Sequence, residues 1–461
     1  MTTPQEELLP GTRRALLHRI AVAQAEGRVP SLVATVVRGG AAVWSGARTA
    51  VDGAAADEHV QYRIGSITKT FTAVLVLRLR DEGVLDLGDP LEKHLPGTGV
   101  GEATIAQLLA HAGGLAAETP GPWWERTPGS LRPELADVLG ERPLVHPVGR
   151  RFHYSNPGYA LLGALIEKVR GASWEDVLRR EVLEPLGLSR TSVRPVAPHA
   201  DGWAVHPWAD VLLPEPAEDL GRMAPAGQLW STTTDLARFA AFLMDGDERV
   251  LSAESVREMR TPAAAGEAAD VAGGYAYCLG MEIRHQEGRT LVGHSGSLPG
   301  FLAGLAISVE DDVAAVVLAN CTSGPAVSGV TADLVRIVAE AEPRIPAAWK
   351  PLREADPAVL ELVGQWYWGT HPFALRLTGD GLLSLGPLSG SGRRSRFRSN
   401  GDGTWTGLEG YYAGELLEPV RRPDGSVSHL DLGSFVFTRL PYDETAPVPG
   451  GVDPEGWRGI G

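Results

Sequence analysis

Ile64-Gly65-Ser66-Ile67-Thr68-Lys69-Thr70-Phe71-Thr72 leads into an apolar segment whose spacing predicts a helix from about Ser66 to Glu82. Phe71, Val74, Leu75 and Leu79 fall on one face at helical spacing, and Gly83 ends the run. Ser66 and Lys69 are one turn apart, so their side chains share a face. Ser66 would stand at the helix start, where the positive end of the dipole favours developing negative charge. A lysine beside a serine can lower the hydroxyl's barrier if burial keeps the amine partly neutral. Alone, the same spacing also describes a helix cap followed by a solvated lysine.

Upstream, Thr12 to Glu26 reads as a helix, and Ser31–Arg38 and Ala41–Gly46 as strands around Gly39-Gly40. Downstream, Ile105–Ala110, Gly158–Arg170 and Trp174–Arg180 read as helices, the last capped by Ser173. A further helix runs to Leu243, with Thr234 or Asp235 as its cap. Short strands follow at Leu279–Arg284, Thr290–Val292, Leu302–Ser308 and Val313–Leu318, then a helix at Val327–Ala341. Pro343, Pro346, Pro351 and Pro357 mark a boundary near 342–357. Beyond it, turn signals such as Gly379-Asp380-Gly381 and Asp424-Gly425 separate short strands, as in an all-β sandwich or barrel. The expected organisation is a catalytic-size domain over 1–345, an antiparallel β domain over 356–446 and a tail over 447–461.

The chain has 461 residues, 43% hydrophobic and 21% charged, an ordinary globular composition of two or three domains. Its net charge of -15 disfavours general binding to nucleic acid and adhesion to anionic membranes. No apolar run is long enough to span a bilayer, and the polar start carries no secretion signal, so a cytoplasmic protein is expected. Two cysteines, Cys278 and Cys321, cannot build a sulfur zinc site or a disulfide framework. Only Lys69, Lys93, Lys168 and Lys350 among the 42 basic residues are lysines.

Two further segments carry chemistry. Tyr154-Ser155-Asn156 lies in a turn: a phenol can relay a proton where an ammonium stabilises its phenolate, and Asn156 offers both a donor and an acceptor. His294-Ser295-Gly296 reads as a glycine-rich hairpin between two strands, where Gly293 and Gly296 would let the backbone approach a ligand closely. The amides of Ser66 and Ser297 could together form an oxyanion hole. No Gly-x-Ser-x-Gly occurs, which argues against an α/β-hydrolase triad.

Ser-x-x-Lys, then Tyr-x-Asn, then His-x-Gly, in that order, resembles the serine β-lactamase and penicillin-binding-protein superfamily. The branch is that of class C β-lactamases, D-alanyl-D-alanine carboxypeptidases, D-aminopeptidases and esterases. Leu108-Leu109-Ala110-His111-Ala112-Gly113-Gly114-Leu115, Val182-Leu183-Glu184-Pro185-Leu186-Gly187-Leu188 and the stretch Pro225–Thr232 are also similar to that family, over about residues 10 to 340. The resemblance implies an α+β fold, with an antiparallel sheet flanked by helices and a helical subdomain. It implies Ser66 as acylated nucleophile, Lys69 and Tyr154 as the base pair, and no need of a metal or organic cofactor. Asn156 would orient Lys69 and the substrate amide. His294 would stand on the strand lining the site, and Gly296 and Ser297 beside the oxyanion. The substrate would be a small molecule or peptide: an ester, or an amide or peptide with a small or D-configured residue.

Class C β-lactamases usually have lysine where His294 stands, so dedicated β-lactamase activity is not expected. A peptide thioesterase or cyclase in biosynthesis, a β-lactamase, and a non-catalytic binding protein are the other readings. Gly364-Gln365-Trp366 resembles the start of lipocalin-like barrels, and Trp366 could equally plug a barrel end. Trp123, Trp124, Trp203 and Trp208 could line an acyl pocket or pack locally. The run Arg393, Arg394, Arg396 and Arg398 reads as a solvated strand face.

Overall fold

Ser31–Arg38 (β1) is buried along almost its whole length, because the sheet that contains it is covered on both faces. The computed structural model describes residues 7–51, 56–265, 274–346 and 348–441. Pro10–Glu26 (α1) precedes β1, and Ala41–Thr49 (β2) pairs with it. Ile67–Asp81 (α2), Asn156–Arg170 (α3) and Thr233–Asp245 (α4) follow. The remaining strands of the main sheet are Ala264–Ala265 (β3), Tyr275–Tyr277 (β4), Glu282–Gln286 (β5), Arg289–Leu298 (β6), Phe301–Ser308 (β7) and Val313–Ala319 (β8). Val327–Ala341 (α5) ends this part of the chain. The strands form an antiparallel sheet in the order β2-β1-β8-β7-β6-β5-β4-β3.

Alternation sorts the sheet's side chains. Leu32, Ala34 and Val36 of β1, with Val313, Ala315 and Val317 of β8, join Leu16 and Ile20 of α1 and Leu334 and Val335 of α5. Val33 and Val37, with Ala314, Val316 and Leu318, join α2 and α4 on the opposite face. There the Phe71 and Phe239 rings stack with centroids 3.7 Å apart. Between α2 and α4 the chain forms a helical subdomain that includes Leu91–His94, Ile105–Leu109, α3 and Trp174–Leu178.

Two local expectations change. His294-Ser295-Gly296 is not a hairpin: β6 runs unbroken to Leu298, paired with β7 from Val292↔Ile307 to Leu298↔Phe301. The turn comes at Gly300, with φ +82°. Gly293 and Gly296 serve close packing inside the strand, since a Cβ on either would overlap a carbonyl oxygen, of Leu305 and Ile64 respectively. The cap of α4 is Thr232, whose side chain accepts from the Asp235 amide; Asp235 itself is buried and accepts from Thr191 Oγ1 at 2.9 Å. At Ser173 the expected cap is present, accepting from the Asp176 amide.

The chain divides into two compact units, Met1–Arg344 and Ile345–Gly461. The second holds eight antiparallel strands: Gly364–Trp368 (β9), His371–Leu377 (β10), Leu383–Pro387 (β11), Ser395–Ser399 (β12), Trp405–Gly407 (β13), Leu416–Arg421 (β14), Val427–Leu432 (β15) and Phe435–Thr438 (β16). They close in chain order, β9 meeting β16 at Tyr367↔Thr438. Trp366, Phe373, Leu375, Phe397, Leu430 and Phe437 fill the interior, so this barrel has a packed core. Trp366 donates its indole N–H to the Leu362 carbonyl at 2.7 Å, and the Arg439 guanidinium lies 3.9 Å from its ring centre. In β12, Ser395 and Phe397 are buried while Arg396 and Arg398 are exposed, so these two arginines occupy its outer face. The expected tail 447–461, and 442–446 of the expected β domain, lie outside the described residues. Among the described residues no helix is long and apolar enough to cross a membrane.

Candidate active site

Ser66 is the residue before α2, half-buried, with its amide at the helix start. Gly65 ahead of it has φ +50°, a conformation glycine adopts without strain. This tight turn brings the chain against β6. A Cβ on Gly65 would lie 2.7 Å from the Ser297 nitrogen, and one on Gly296 would lie 3.1 Å from the Ser66 nitrogen. The backbones bearing the two expected oxyanion donors are therefore pressed together, with glycine on each side.

Lys69 projects from the first turn of α2 and is fully buried. Its ammonium donates to Ser66 Oγ at 3.0 Å, to Asn156 Oδ1 at 2.7 Å and to the Ala226 carbonyl at 2.8 Å. Burial pulls its pKa from the ordinary 10.5 down to about 7; Glu118, Glu125 and Glu282 act in the opposite direction. Near neutral pH a large fraction of this amine is uncharged and can accept a proton.

Tyr154 is hydrogen-bonded to Ser66, and Lys69 Nζ lies 5.0 Å from its ring centre. Burial pushes its phenol well above 10, against the lowering effect of the Ser66 hydrogen bond. The phenol is thus protonated when Lys69 titrates. The resting site contains a neutral phenol and a titrating amine, not a phenolate.

Asn156 opens α3, behind Ser155, whose hydroxyl caps the helix by accepting from the Gly158 amide at 3.2 Å. Lys69 fixes the Asn156 oxygen, and Asn156 Nδ2 donates to Glu118 Oε1 at 2.9 Å. Trp124 donates its indole N–H to the other oxygen of Glu118 at 2.7 Å. Trp123 is exposed and donates to Glu125 at 2.8 Å. Trp208 is 91% exposed.

His294 lies in β6. Its Nδ1 donates to the Ser295 carbonyl at 2.6 Å, so its Nε2 accepts from the Tyr277 hydroxyl at 2.8 Å. Burial lowers its pKa, and the ring is neutral. Its centre is 6.3 Å from that of Tyr154. Ser66, Lys69, Tyr154 and Asn156 thus form one bonded cluster, the Gly296–Ser297 backbone abuts Ser66, and His294 lies beside Tyr154, bonded to Tyr277.

Sequence reasoning gave no role to Glu118, Glu125, Glu282, Tyr277 or the Ala226 carbonyl. They come from loops and strands with no shared spacing, and nothing short of the fold gathers them. His111 also belongs here; its position just before Gly113-Gly114 was the one local signal.

The family model described as Beta-lactamase matches residues 17–340, and a domain of unknown function, DUF7586, matches residues 355–439. Penicillin-binding protein 4 of Amycolatopsis lactamdurans is 31% identical over 316 residues, 64% of this chain and 81% of that protein. Beta-lactamase-like protein 2 of Dictyostelium discoideum is 29% identical over 215 residues, which is 43% of this chain and only 39% of that relative. The structure of a D-stereospecific amidohydrolase from Streptomyces sp. is similar at a TM-score of 0.57 and 26% identity, over 72% of this chain and 99% of that one. A fold with Ser66 and Lys69 on one helical turn, and a family match across most of its length, lead to one conclusion: this chain belongs to the beta-lactamase family.

Proposed function

We propose that the protein is a serine hydrolase that forms an acyl-enzyme on Ser66 and cleaves amide, peptide or ester bonds. One observation carries the reading: a fully buried Lys69, with its pKa lowered to about 7, bonded to Ser66 Oγ at 3.0 Å. The neutral amine takes the Ser66 proton as Oγ attacks the carbonyl carbon, and the oxyanion forms beside the Ser66 and Ser297 amides. Tyr154, protonated and bonded to Ser66, hands its proton to the departing amine or alkoxide and is reprotonated from Lys69. Water then attacks the ester, with the same two groups working in reverse.

The surroundings favour a substrate with a free amine. Glu118, Glu125 and Glu282 act electrostatically on Lys69; Glu118 is held by Asn156 and Trp124 and Glu282 by Arg284, whereas Glu125 is bonded through one oxygen to Trp123, and Arg126 is paired with Glu215. Neutral His294, bonded at both nitrogens, offers no cation to a substrate carboxylate. Together with the similarity to a D-stereospecific amidohydrolase, this supports D-amino-acid amides or short peptides over β-lactams.

Labelling with a fluorophosphonate, mapped by mass spectrometry, tests the nucleophile. The adduct is expected on Ser66 and absent in Ser66→Ala; an adduct on another serine overturns the mechanism. For the substrate class, D-alanine p-nitroanilide should be cleaved faster than its N-acetyl analogue. Glu125→Gln should narrow that difference; equal rates for the two substrates in the wild type would remove the amine preference.

A further inference from the structure

His111 is a histidine in a backbone conformation that favours glycine. Its φ is +56°, and the ring is buried. Such strain persists where the surroundings over-determine it, and it clusters at functional sites. Here the surroundings are the residues on both sides of Tyr154. The His153 amide donates to the His111 carbonyl at 2.8 Å, and the Ser155 amide donates to His111 Nδ1 at 3.0 Å. The ring itself lies against Tyr154, with centroids 4.1 Å apart and planes 32° apart. Tyr277 and Tyr159 close the remaining sides, at 4.6 Å and 5.2 Å.

The Ser155 bond makes Nδ1 an acceptor, which assigns the ring proton to Nε2. Nε2 is buried and has no hydrogen-bond partner among the described residues. The ring's one hydrogen bond therefore goes to the turn that presents Tyr154. A protonated ring would lose that acceptor and place a charge among three phenols; burial, with Lys69 next in size, holds its pKa well below 6.5.

We propose that His111 is a positioning residue: as a neutral acceptor stacked on Tyr154, it fixes the 153–155 turn so that the phenol stays on Ser66. The proposal rests on the reading of Ser66 as nucleophile. It assigns to His111 no contact with substrate.

The test is a mutant cycle on fluorophosphonate labelling and on p-nitrophenyl acetate turnover. His111→Leu keeps bulk without an acceptor, and His111→Gly removes the ring at a φ that glycine tolerates, so at least one should fold by circular dichroism. Either is expected to lower kcat roughly ten- to a hundredfold with KM little changed, the size of a misplaced proton-transfer group. His111→Asn, whose Oδ1 can stand near the place of Nδ1 and which tolerates positive φ, should recover most of the rate. Placed on Tyr154→Phe, His111→Leu or His111→Gly should add almost nothing, because the group it positions is gone. A full, multiplicative loss in the Tyr154→Phe background overturns the proposal, as does His111→Asn performing no better than His111→Leu. Ser66→Ala run alongside separates the two readings. Labelling that survives it undoes the nucleophile. Labelling that needs Ser66 but shows a multiplicative cycle undoes only the role of His111.

Discussion

Lys69 is the residue on which acid–base behaviour turns. It is fully buried, and burial lowers its pKa to about 7. A base must be unprotonated, so kcat/KM should rise with pH through about 7 and flatten above it. A rate independent of pH between 6 and 8 would contradict Lys69 as the base. Lys69→Arg should be inactive at every pH in that range, since guanidinium does not give up its proton. The contrast with Lys93, which is exposed and paired with Asp89 at 2.6 Å, shows what the scarcity of lysine meant. Arginine could serve at most basic positions, but only an amine can titrate at position 69. The sequence exposed the Ser66–Lys69 pair because it depends on a helical turn alone. It could not expose Glu118, which acts on Lys69 through its charge and through a hydrogen bond to Asn156.

At the scale of elements, the proposed acylation depends on how α2 meets β6. Helix spacing put Ser66 and Lys69 on one face, and the run Phe71, Val74, Leu75, Leu79 explains why that helix is buried. The strand was less legible. Gly293 and Gly296 look like breakers in a linear reading, yet they sit within β6 because the Leu305 and Ile64 carbonyls approach too closely for any side chain. Gly296→Val should therefore push β6 away from Gly65-Ser66 and separate the two amides. The expected loss in acylation rate is about a hundred- to a thousandfold, as when one oxyanion donor is removed. Overpacking should cost about 1–3 kcal/mol of stability. Single-turnover kinetics beside thermal melts would check both, and an unchanged acylation rate would show that this contact does not set the oxyanion site.

For the whole molecule, the two units have separate buried cores, one around the eight-stranded sheet and one inside the barrel. Calorimetry is expected to show two unfolding transitions. Trp366→Ala, which empties the barrel core at a cost of roughly 3–5 kcal/mol, should lower one of them and leave the other and the esterase rate in place. A single transition that shifts as a whole would contradict independent cores. The sequence by itself determined the class of fold, the helix bearing Ser66 and Lys69, and the strand-rich character of the second unit. Each of these follows from local periodicity, turn chemistry or motif order. Only the tertiary structure decided that Lys69 is dry enough to titrate near 7, that Tyr154 stays protonated, that His294 turns toward Tyr277, and that His111 and Glu118 belong to the site. The physical reason is that desolvation and hydrogen-bond partnership depend on what surrounds a group in space, and those surroundings come from segments tens to hundreds of residues away.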